Sequence, residues 1–400
     1  MFTRVTHVVT SRTPENALRQ LALLLRRLPA DRFPQQVVAV GSEPPVLARL
    51  LASMPAGRGP TVLRVSGRWG LPGGQSSEWR RLLPLRPPEV WHAWGTAAAS
   101  VARAACPADA VLVVTVTDPE EIGDVREWWP LQADPGIRGA GRVLCASEWV
   151  QNQVIGLGIP REATALVRPG IEGHSIDTAG RDALRAELHL PADARVLLTA
   201  SPPSRAGGQF FAAWAAAILY QIWPNVRLVC TGRSRELDRI RRLIEGIYCP
   251  DVFRLVGDDY SPDDLFAISD LLVAPATDDI STWWLASAML AGVPVVASGV
   301  PSLAEVVADE RTGFVCRPVE PHTLAIRIRE AAESGGRLAG CVAEARRWAT
   351  EAFDADRCVE AHAAVYAPSA GSPADGAATS PATKTKSASY NPCGTGVSPA

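Results

Sequence analysis

Residues 275–314 read PATDDISTWWLASAMLAGVPVVASGVPSLAEVVADERTGF, and this stretch contains the pattern that decides the fold. The segment from Thr282 to Ala291 predicts a helix, and VPVVAS at 293–298 predicts a strand. TGFVCRP at 312–318 predicts the next strand. Apolar strands separated by helices indicate a parallel sheet that is buried on both faces.

The same alternation covers most of the chain in two successive series. The first series contains the strand-like segments RVTHVV (4–9), QVVAV (36–40), EVWHAWG (89–95), AVLVVTVT (110–117) and RVLCAS (142–147). The second begins with RVLLTAS (195–201), NVRLVCTG (225–232), VFRLVGD (252–258) and LLVAPA (271–276). Helical patterns lie between the strands. We predict an α/β protein with two tandem Rossmann-like, doubly wound parallel-sheet domains and a cleft between them.

The predicted domains are residues 1–172 and 173–350, joined where VRPGIEG (167–173) resembles a linker. A C-terminal helix, 351–366, is expected to return toward the first domain, because its apolar residues repeat at helical spacing after the second sheet is complete. Residues 367–400 consist mainly of Pro, Ser, Ala, Thr and Gly, so we predict a disordered tail.

The composition limits the possible partners. The 400 residues carry a formal net charge of −2 and a pI near 6.3, which gives no electrostatic footprint for nucleic acid. No apolar run approaches the roughly 20 residues of a membrane span, and the first residues are not patterned as a signal peptide. A cytoplasmic protein with no transmembrane segment is therefore predicted.

Several common catalytic motifs are missing from the sequence. It contains no GxGxxG, P-loop, HExxH or nucleophile elbow. Two parallel α/β domains in tandem nevertheless bind ligands at the carboxyl ends of their strands, so the cleft is the expected site.

Four segments, in order along the chain, resemble the two-Rossmann-domain glycosyltransferases of group 1, also called glycosyltransferase family 4. They are EVWHAWGTAAASVARAA (89–105), RVLCASEWVQNQVIGLGIPREATALVRPGIE (142–172), LVGDDYSPDDLFAISDLLVAPA (255–276) and AMLAGVPVVASGVPSLAEVVADERTGFVCRP (288–318). The resemblance runs from about residue 4 to residue 366.

The resemblance implies a GT-B fold, with the acceptor side in the first domain and the donor side in the second. It also implies a retaining transfer of sugar from a nucleotide-sugar donor, with no cofactor and usually no metal. The leaving diphosphate would then be stabilised by helix N-terminal amides and fixed cations. The acceptor would be an unknown carbohydrate or lipid-linked molecule.

The donor-site positions of the family map onto residues 279–287. Its two glutamates, which hold sugar hydroxyls and the nucleotide ribose, map to Asp279 and Ser287. Its Gly-Phe-Gly turn maps to Ile280-Ser281-Thr282, so Ser281 and Thr282 are donor-binding candidates. Thr282 capping the following helix is the alternative.

The family's diphosphate clamp, an arginine and a lysine, maps to about Ser201 and Gly207. The only lysines, Lys384 and Lys386, lie in the tail. Arg205 is close enough in sequence to take the clamp role, since a guanidinium suits phosphate. A surface arginine without this role is the alternative.

In the first domain, His92 and Asp118 remain as catalytic candidates after other family positions have changed. The changed positions are Arg12 and Thr13 for a Gly-Gly loop, and Trp94 and Thr117 for two histidines. His92 as a core histidine is the alternative.

Three further candidates lie between residues 283 and 305. Glu305 matches a family glutamate and is a donor-binding candidate, or else a charge at a helix N-terminus. Trp283 and Trp284 suit either stacking on a sugar or packing.

Three functions remain open from the sequence: an active but divergent sugar transferase, a non-catalytic relative that senses nucleotide sugars or acts as a scaffold partner, and an epimerase or phosphorylase on the same frame. The third ranks lowest, because neither an acid/base pair nor a cofactor lysine is visible. Function depends on the site and not on the fold alone.

Overall fold

A computed structural model describes residues 2–42, 44–54, 60–65, 90–119, 121–122, 135–174, 178–200, 203–232, 234, 236–247, 249–257 and 260–367. These residues belong to one contact unit that ends at Ala367. The tail predicted to be disordered lies outside the described residues, except for Ala367.

Two parallel sheets form the framework, as the sequence predicted. The strands of the first sheet are β1 (Val5–Thr10), β2 (Gln35–Val40), β3 (Thr61–Val65), β4 (Val90–Trp94), β5 (Val111–Val116), β6 (Arg142–Cys145) and β7 (Thr164–Leu166). Those of the second are β8 (Arg195–Thr199), β9 (Val226–Thr231), β10 (Phe253–Val256), β11 (Leu271–Ala274), β12 (Val295–Ser298) and β13 (Phe314–Cys316). The strand orders are β3-β2-β1-β4-β5-β6-β7 and β10-β9-β8-β11-β12-β13.

Helices cover these sheets. They are α1 (Glu15–Arg27), α2 (Pro45–Ala52), α3 (Thr96–Ala105), α4 (Pro135–Arg138), α5 (Glu148–Gly156), α6 (Thr178–Glu187), α7 (Gln209–Tyr220), α8 (Glu236–Gly246), α9 (Pro262–Ile268), α10 (Trp283–Ala291), α11 (Pro301–Ala304), α12 (Pro321–Glu333), α13 (Gly336–Ala352) and α14 (Ala355–Tyr366). Short 3₁₀ helices span Arg161–Ala163 and Pro250–Val252.

Each sheet buries apolar side chains on both faces, because successive residues of a strand point to opposite sides. In β1, Val5 and Val9 pack with the leucines of α1, whereas Val8 packs with Trp91 on the other face. In β8, Leu197 and Leu198 divide between two clusters in the same way. Burial of each such side chain contributes about 1.5–3 kcal/mol, and the double burial explains the nearly continuous apolar runs in the sequence.

The sequence did not predict β3 and β7. The residues of β3 are mostly half-exposed or exposed, and β7 has only three residues, all half-exposed. Both strands lie at sheet edges. An edge strand buries less apolar surface, so its hydrophobic pattern is weak.

The two closing helices pack against different sheets. Ala345 and Ala349 of α13 belong to a core cluster of the second sheet. Cys358 and Tyr366 of α14 belong to the core of the first sheet. Between the helices, the Ile171 amide donates to the Phe353 carbonyl at 2.9 Å. We propose domain boundaries at the predicted residues 172/173 and 350/351, with α14 as the returning helix.

The strand orders define where ligand crevices lie. In each sheet the order reverses beside the first strand, between β1 and β4 and between β8 and β11. Ligands of doubly wound sheets bind outside the carboxyl ends of the strands at this reversal. The loops after these four strands therefore position the candidate site.

Candidate active site

The N-terminus of α10 lies at the reversal point of the second sheet. The chain leaves β11 at Ala274 and reaches α10 at Trp283. Its N-cap residue, Thr282, is buried and makes no side-chain capping hydrogen bond. Thr282 therefore occupies the N-cap position, but the alternative that its side chain caps α10 is wrong. The Trp283 amide donates to the Ser281 hydroxyl over a long 3.5 Å.

Asn16 of α1 connects this helix terminus to the first sheet. Its Nδ2 donates to Ser281 Oγ at 2.7 Å and to Asp118 Oδ1 at 2.9 Å. Asn16 is buried and follows β1, whereas Asp118 follows β5. Two candidates from different halves of the sequence, Asp118 and Ser281, are thus brought together by a residue that the sequence analysis missed.

Arg19 of α1 makes a second contact across the cleft. Its guanidinium carbon lies 4.5 Å from the ring centroid of Trp283, the first residue of α10. Arg19 Nε also donates to Glu15 Oε1 at 3.0 Å. A cation from the first half of the chain therefore lies beside the start of α10, and Trp283 packs against it.

Burial alters the acidity of the Asp118 carboxyl group. Desolvation raises its pKa, whereas hydrogen bonds from Asn16 and Ser281 oppose the rise. Asp118 thus binds a proton more readily than an ordinary aspartate does.

Glu121 is a second buried carboxyl group that the sequence analysis missed. Its Oε1 accepts from the amides of Thr117 and Asp118 at 3.0 and 3.2 Å, and Oε2 accepts from the Thr96 amide at 2.9 Å. Burial and the nearby Asp118 raise its pKa to about 7. The segment Asp118-Pro-Glu-Glu121 has capping-box spacing, which is a signal that would have predicted this contact.

Gly95 leaves the space that Glu121 occupies. It adopts a φ of +91°, and a Cβ there would lie 2.6 Å from Glu121 Oε2. A side chain at position 95 would therefore displace the carboxylate from the N-terminus of α3.

Asp279 bonds to a neighbouring helix. Its Oδ1 accepts from the Ser302 amide at 2.6 Å, within the first turn of α11. The Ser302 hydroxyl in turn accepts from the Ile280 amide at 3.2 Å. Asp279 is half-buried, so one carboxylate oxygen holds the loop in place, and a sugar hydroxyl would have to share the carboxylate with Ser302.

The loop after β8 presents Arg205 to solvent. Its backbone is fixed because the Arg205 carbonyl accepts from Thr277 Oγ1 at 2.9 Å and the Ala206 carbonyl accepts from the Thr277 amide at 2.7 Å. Within the described part of the chain, nothing pairs with the Arg205 guanidinium. Ser201, the other expected clamp position, lies outside the described residues.

The position expected for the clamp lysine is occupied by another side chain. A Cβ on Gly207 would lie 2.6 Å from Gln209 Oε1. Gln209 is buried, and its Oε1 accepts from the Ser204 amide at 3.1 Å. A lysine at 207 would have to displace Gln209.

Ser287 lies inside the packing of α10 and has no exposed surface. No described residue bonds to its hydroxyl. Its side chain cannot contact a ribose while α10 is packed in this way.

Glu305 binds the N-terminus of a helix in the first half of the chain. Its carboxylate accepts from the amides of Glu148 and Trp149, at 2.9 and 2.5 Å, in the first turn of α5. Burial raises the Glu305 pKa, and these amides oppose the rise. The structure thus favours the alternative of a helix N-terminal charge, although the helix lies across the cleft.

His92 belongs to the core of the first sheet. It is fully buried, its Nδ1 contacts the Tyr366 hydroxyl, and its Nε2 lies 2.7 Å from Thr115 Oγ1. Burial holds its pKa well below the usual range, so the ring is neutral. This location favours the alternative of a core histidine that helps dock α14, because both ring nitrogens are engaged and no face reaches the cleft.

Two searches of the described residues, for a metal site and for a membrane-spanning helix, gave negative results. No group of three His, Cys, Asp or Glu side chains in them converges as a metal ion would require. None of their helices combines the length and the apolar character needed to cross a membrane.

The architecture defines a class of protein. The Anabaena protein HepE in complex with UDP-glucose has 20% sequence identity and a TM-score of 0.75, with 90% of this chain and 98% of that chain covered. The sucrose-phosphate synthase of Thermosynechococcus elongatus has 16% identity and a TM-score of 0.70, covering 91% and 98%. These likenesses show the GT-B glycosyltransferase fold.

Curated relatives match by sequence. The D-inositol 3-phosphate glycosyltransferase of Streptomyces avermitilis is 31% identical over 219 residues, 52% of this chain and 47% of that protein. The D-inositol 3-phosphate glycosyltransferase 1 of Catenulispora acidiphila is 28% identical over 242 residues, 58% of each chain. This chain therefore spans about half the length of the curated relatives it matches.

Two family profiles match successive parts of the chain. The profile described as Glycosyltransferase Family 4 matches residues 17–173, and the one described as Glycosyl transferases group 1 matches residues 180–348. The chain belongs to the group 1 glycosyltransferases, as its sequence motifs predicted.

Proposed function

We propose that this protein is a retaining, metal-independent glycosyltransferase that moves a sugar from a nucleotide-sugar donor to a carbohydrate or lipid-linked acceptor without a cofactor. The observation that carries the proposal is the position of the α10 N-terminus. Its N-cap residue, Thr282, makes no side-chain hydrogen bond to it, it lies at the reversal point of its sheet, and it meets Asp118 across the cleft through Ser281 and Asn16. Helix N-terminal amides favour bound anions, so the donor diphosphate has a place there.

The donor-binding roles divide between loops and helix. Arg205 is free to bind phosphate and is held beside the 277–278 backbone. Ser281 and Thr282 supply the turn that leads into α10, and Asp279 offers its remaining carboxylate oxygen to a sugar hydroxyl. A guanidinium and oriented amides stabilise a leaving diphosphate by the same electrostatics as a metal ion does.

The remaining candidates have other roles in this proposal. Asp118 faces the donor side and is the catalytic candidate, because its raised pKa suits a group that holds or releases a proton near the reacting atoms. Glu305 positions the two halves, Ser287 fills the core, and His92 is assigned to packing.

The donor proposal is tested by binding and turnover. Calorimetry and thermal shift would use UDP-glucose, UDP-N-acetylglucosamine, GDP-mannose and ADP-glucose. A donor at 100 times its Kd stabilises the fold by about 2.7 kcal/mol, which raises the melting temperature measurably. The names of the curated relatives make D-inositol 3-phosphate the first acceptor to assay, with the anomeric configuration of the product read by NMR. Absence of binding by the folded protein to every donor would overturn the proposal.

A non-catalytic relative that senses nucleotide sugars, or acts as a scaffold partner in glycan assembly, is the second candidate. It is favoured by the enclosure of Ser287 and by the filling of the Gly207 position by Gln209. Donor binding without transfer to any acceptor and without donor hydrolysis would support this candidate.

A further inference from the structure

We infer that Arg19 is a binding residue for the donor diphosphate, supplied from the first half of the chain to the N-terminus of α10. The inference rests on the proposed function. It assigns the missing second cation of the clamp to a residue 186 positions before Arg205, far from the expected positions 201 and 207.

The position of Arg19 supports this role through two independent contacts. Asn16 and Arg19 are three residues apart on α1 and therefore share one face of the helix. Asn16 reaches Ser281 at 2.7 Å, and the Arg19 guanidinium packs at 4.5 Å from the Trp283 ring centroid. The face of α1 that carries both residues thus covers the turn at 281–283, where α10 begins.

The chemistry of Arg19 suits an anion that arrives from the cleft. Stacking on Trp283 fixes the plane of the guanidinium without using its N–H groups. Nε and Nη2 both contact the same oxygen, Oε1 of Glu15. No other described residue bonds to Arg19, so Nη1 and the outer edge of the fork have donors available for phosphate. The Arg19 side chain is 23% exposed, which leaves it reachable from solvent.

In the absence of a donor, the Glu15 carboxylate occupies the Arg19 guanidinium that we assign to the diphosphate. Its side chain is 32% exposed and lies one helical turn before Arg19. A diphosphate carries more negative charge and more acceptor oxygens than a carboxylate, so it competes with Glu15 for Arg19. The inference therefore predicts opposite effects for the two members of this ion pair.

The experiment is calorimetric titration with UDP, GDP, ADP and dTDP, each paired with its nucleoside, on the wild type and on the variants Arg19→Gln, Arg19→Lys and Glu15→Gln. Arg26→Gln is the matched control, because Arg26 lies on the same helix and pairs with Glu172 instead. For the nucleotide that binds best, Arg19→Gln is expected to weaken the binding of the nucleoside diphosphate by about tenfold or more. The affinity for the matching nucleoside should not change. The diphosphate affinity of Arg19→Lys is expected to lie between those of the wild type and Arg19→Gln. Glu15→Gln is expected to tighten diphosphate binding by about two- to fivefold.

Each outcome discriminates. If the wild type binds a nucleoside diphosphate and Arg19→Gln binds it equally well, the inference is wrong and the proposed function stands. Equal losses for nucleotide and nucleoside indicate a structural role and also overturn the inference. No binding by the folded wild type overturns the proposed function itself. If Arg19→Gln does not fold, Glu15→Gln decides alone, since unchanged or weaker diphosphate binding contradicts the competition.

Discussion

Asn16 and Ser281 are 265 positions apart in the chain and share a hydrogen bond of 2.7 Å. The same Asn16 nitrogen donates to Asp118 Oδ1 at 2.9 Å. One buried amide thus connects the first helix, the segment that follows β5 and the turn before α10. The two halves of the chain meet at the point where the family's donor site is expected, and the contacts there are polar.

Replacing Asn16 tests the contribution of this contact to stability. Asn16→Ala leaves Asp118 and Ser281 without their shared donor, so we expect a loss of about 1–3 kcal/mol in the free energy of unfolding. Urea denaturation measures this loss. Asn225→Ala is the control, because its exposed amide bonds to the Asp193 carbonyl and should cost less than about 1 kcal/mol. Equal losses in the two variants would show that the buried Asn16 contact stabilises the protein no more than an exposed hydrogen bond does.

Arg205 provides a direct test of the donor site. Arg205→Ala should weaken donor binding by about ten- to hundredfold, because a charge-assisted hydrogen bond contributes about 1.5–3 kcal/mol. The fold should remain unaffected, since the described residues offer the guanidinium no partner. Arg241→Ala, another exposed arginine, serves as the control in the same calorimetric series. Unchanged affinity in Arg205→Ala would remove this residue from the site.

Ser287 separates a packed position from a binding position. Ser287→Ala should be neutral or stabilising by up to about 1 kcal/mol, because it removes a buried hydroxyl with no described partner. Ser287→Glu, which introduces the family's residue, should lower stability by about 3 kcal/mol or more, because an unpaired carboxylate is costly to bury. Thermal denaturation measures both changes. A stable Ser287→Glu protein with higher donor affinity would show that α10 can turn this position toward the ribose.

Glu121 predicts a pH dependence of stability. Its pKa of about 7 in the folded protein lies above the usual 4.5, so the folded state binds more protons between these values. Stability from this group is therefore complete below about pH 4.5 and is lost as the pH rises through 7. Glu121→Gln should reduce the slope of unfolding free energy against pH between 5 and 7.5, measured by urea denaturation. A slope as steep as in the wild type would mean that another group titrates.

Glu305 tests the second connection between the halves. Glu305→Ala removes two bonds to the first-turn amides of α5, so we expect a loss of about 1–2 kcal/mol. Glu305→Gln keeps an acceptor oxygen and should lose less. Urea denaturation compares the two variants. If both leave stability unchanged, the contact does not stabilise the protein.

The sequence by itself determined the two parallel sheets and the family. Strands buried on both faces leave apolar runs such as VVAV at 37–40 and LVV at 112–114, and these are readable without coordinates. The edge strands β3 and β7 were not predicted from the sequence, because they bury little apolar surface.

The partners of the site residues were decided only by the tertiary structure. A sequence motif located Asp279, Glu305 and Ser281, but their hydrogen bonds go to the Ser302 amide, to the amides of α5 and to Asn16. Asn16 and Arg19 carry no motif, and nothing within α1 shows that its polar face covers the start of α10. Local patterns record which surfaces are buried, because burial sets the residue type at each position. Which polar groups meet across a cleft depends on the docking of two sheets, which arises from contacts between residues hundreds of positions apart.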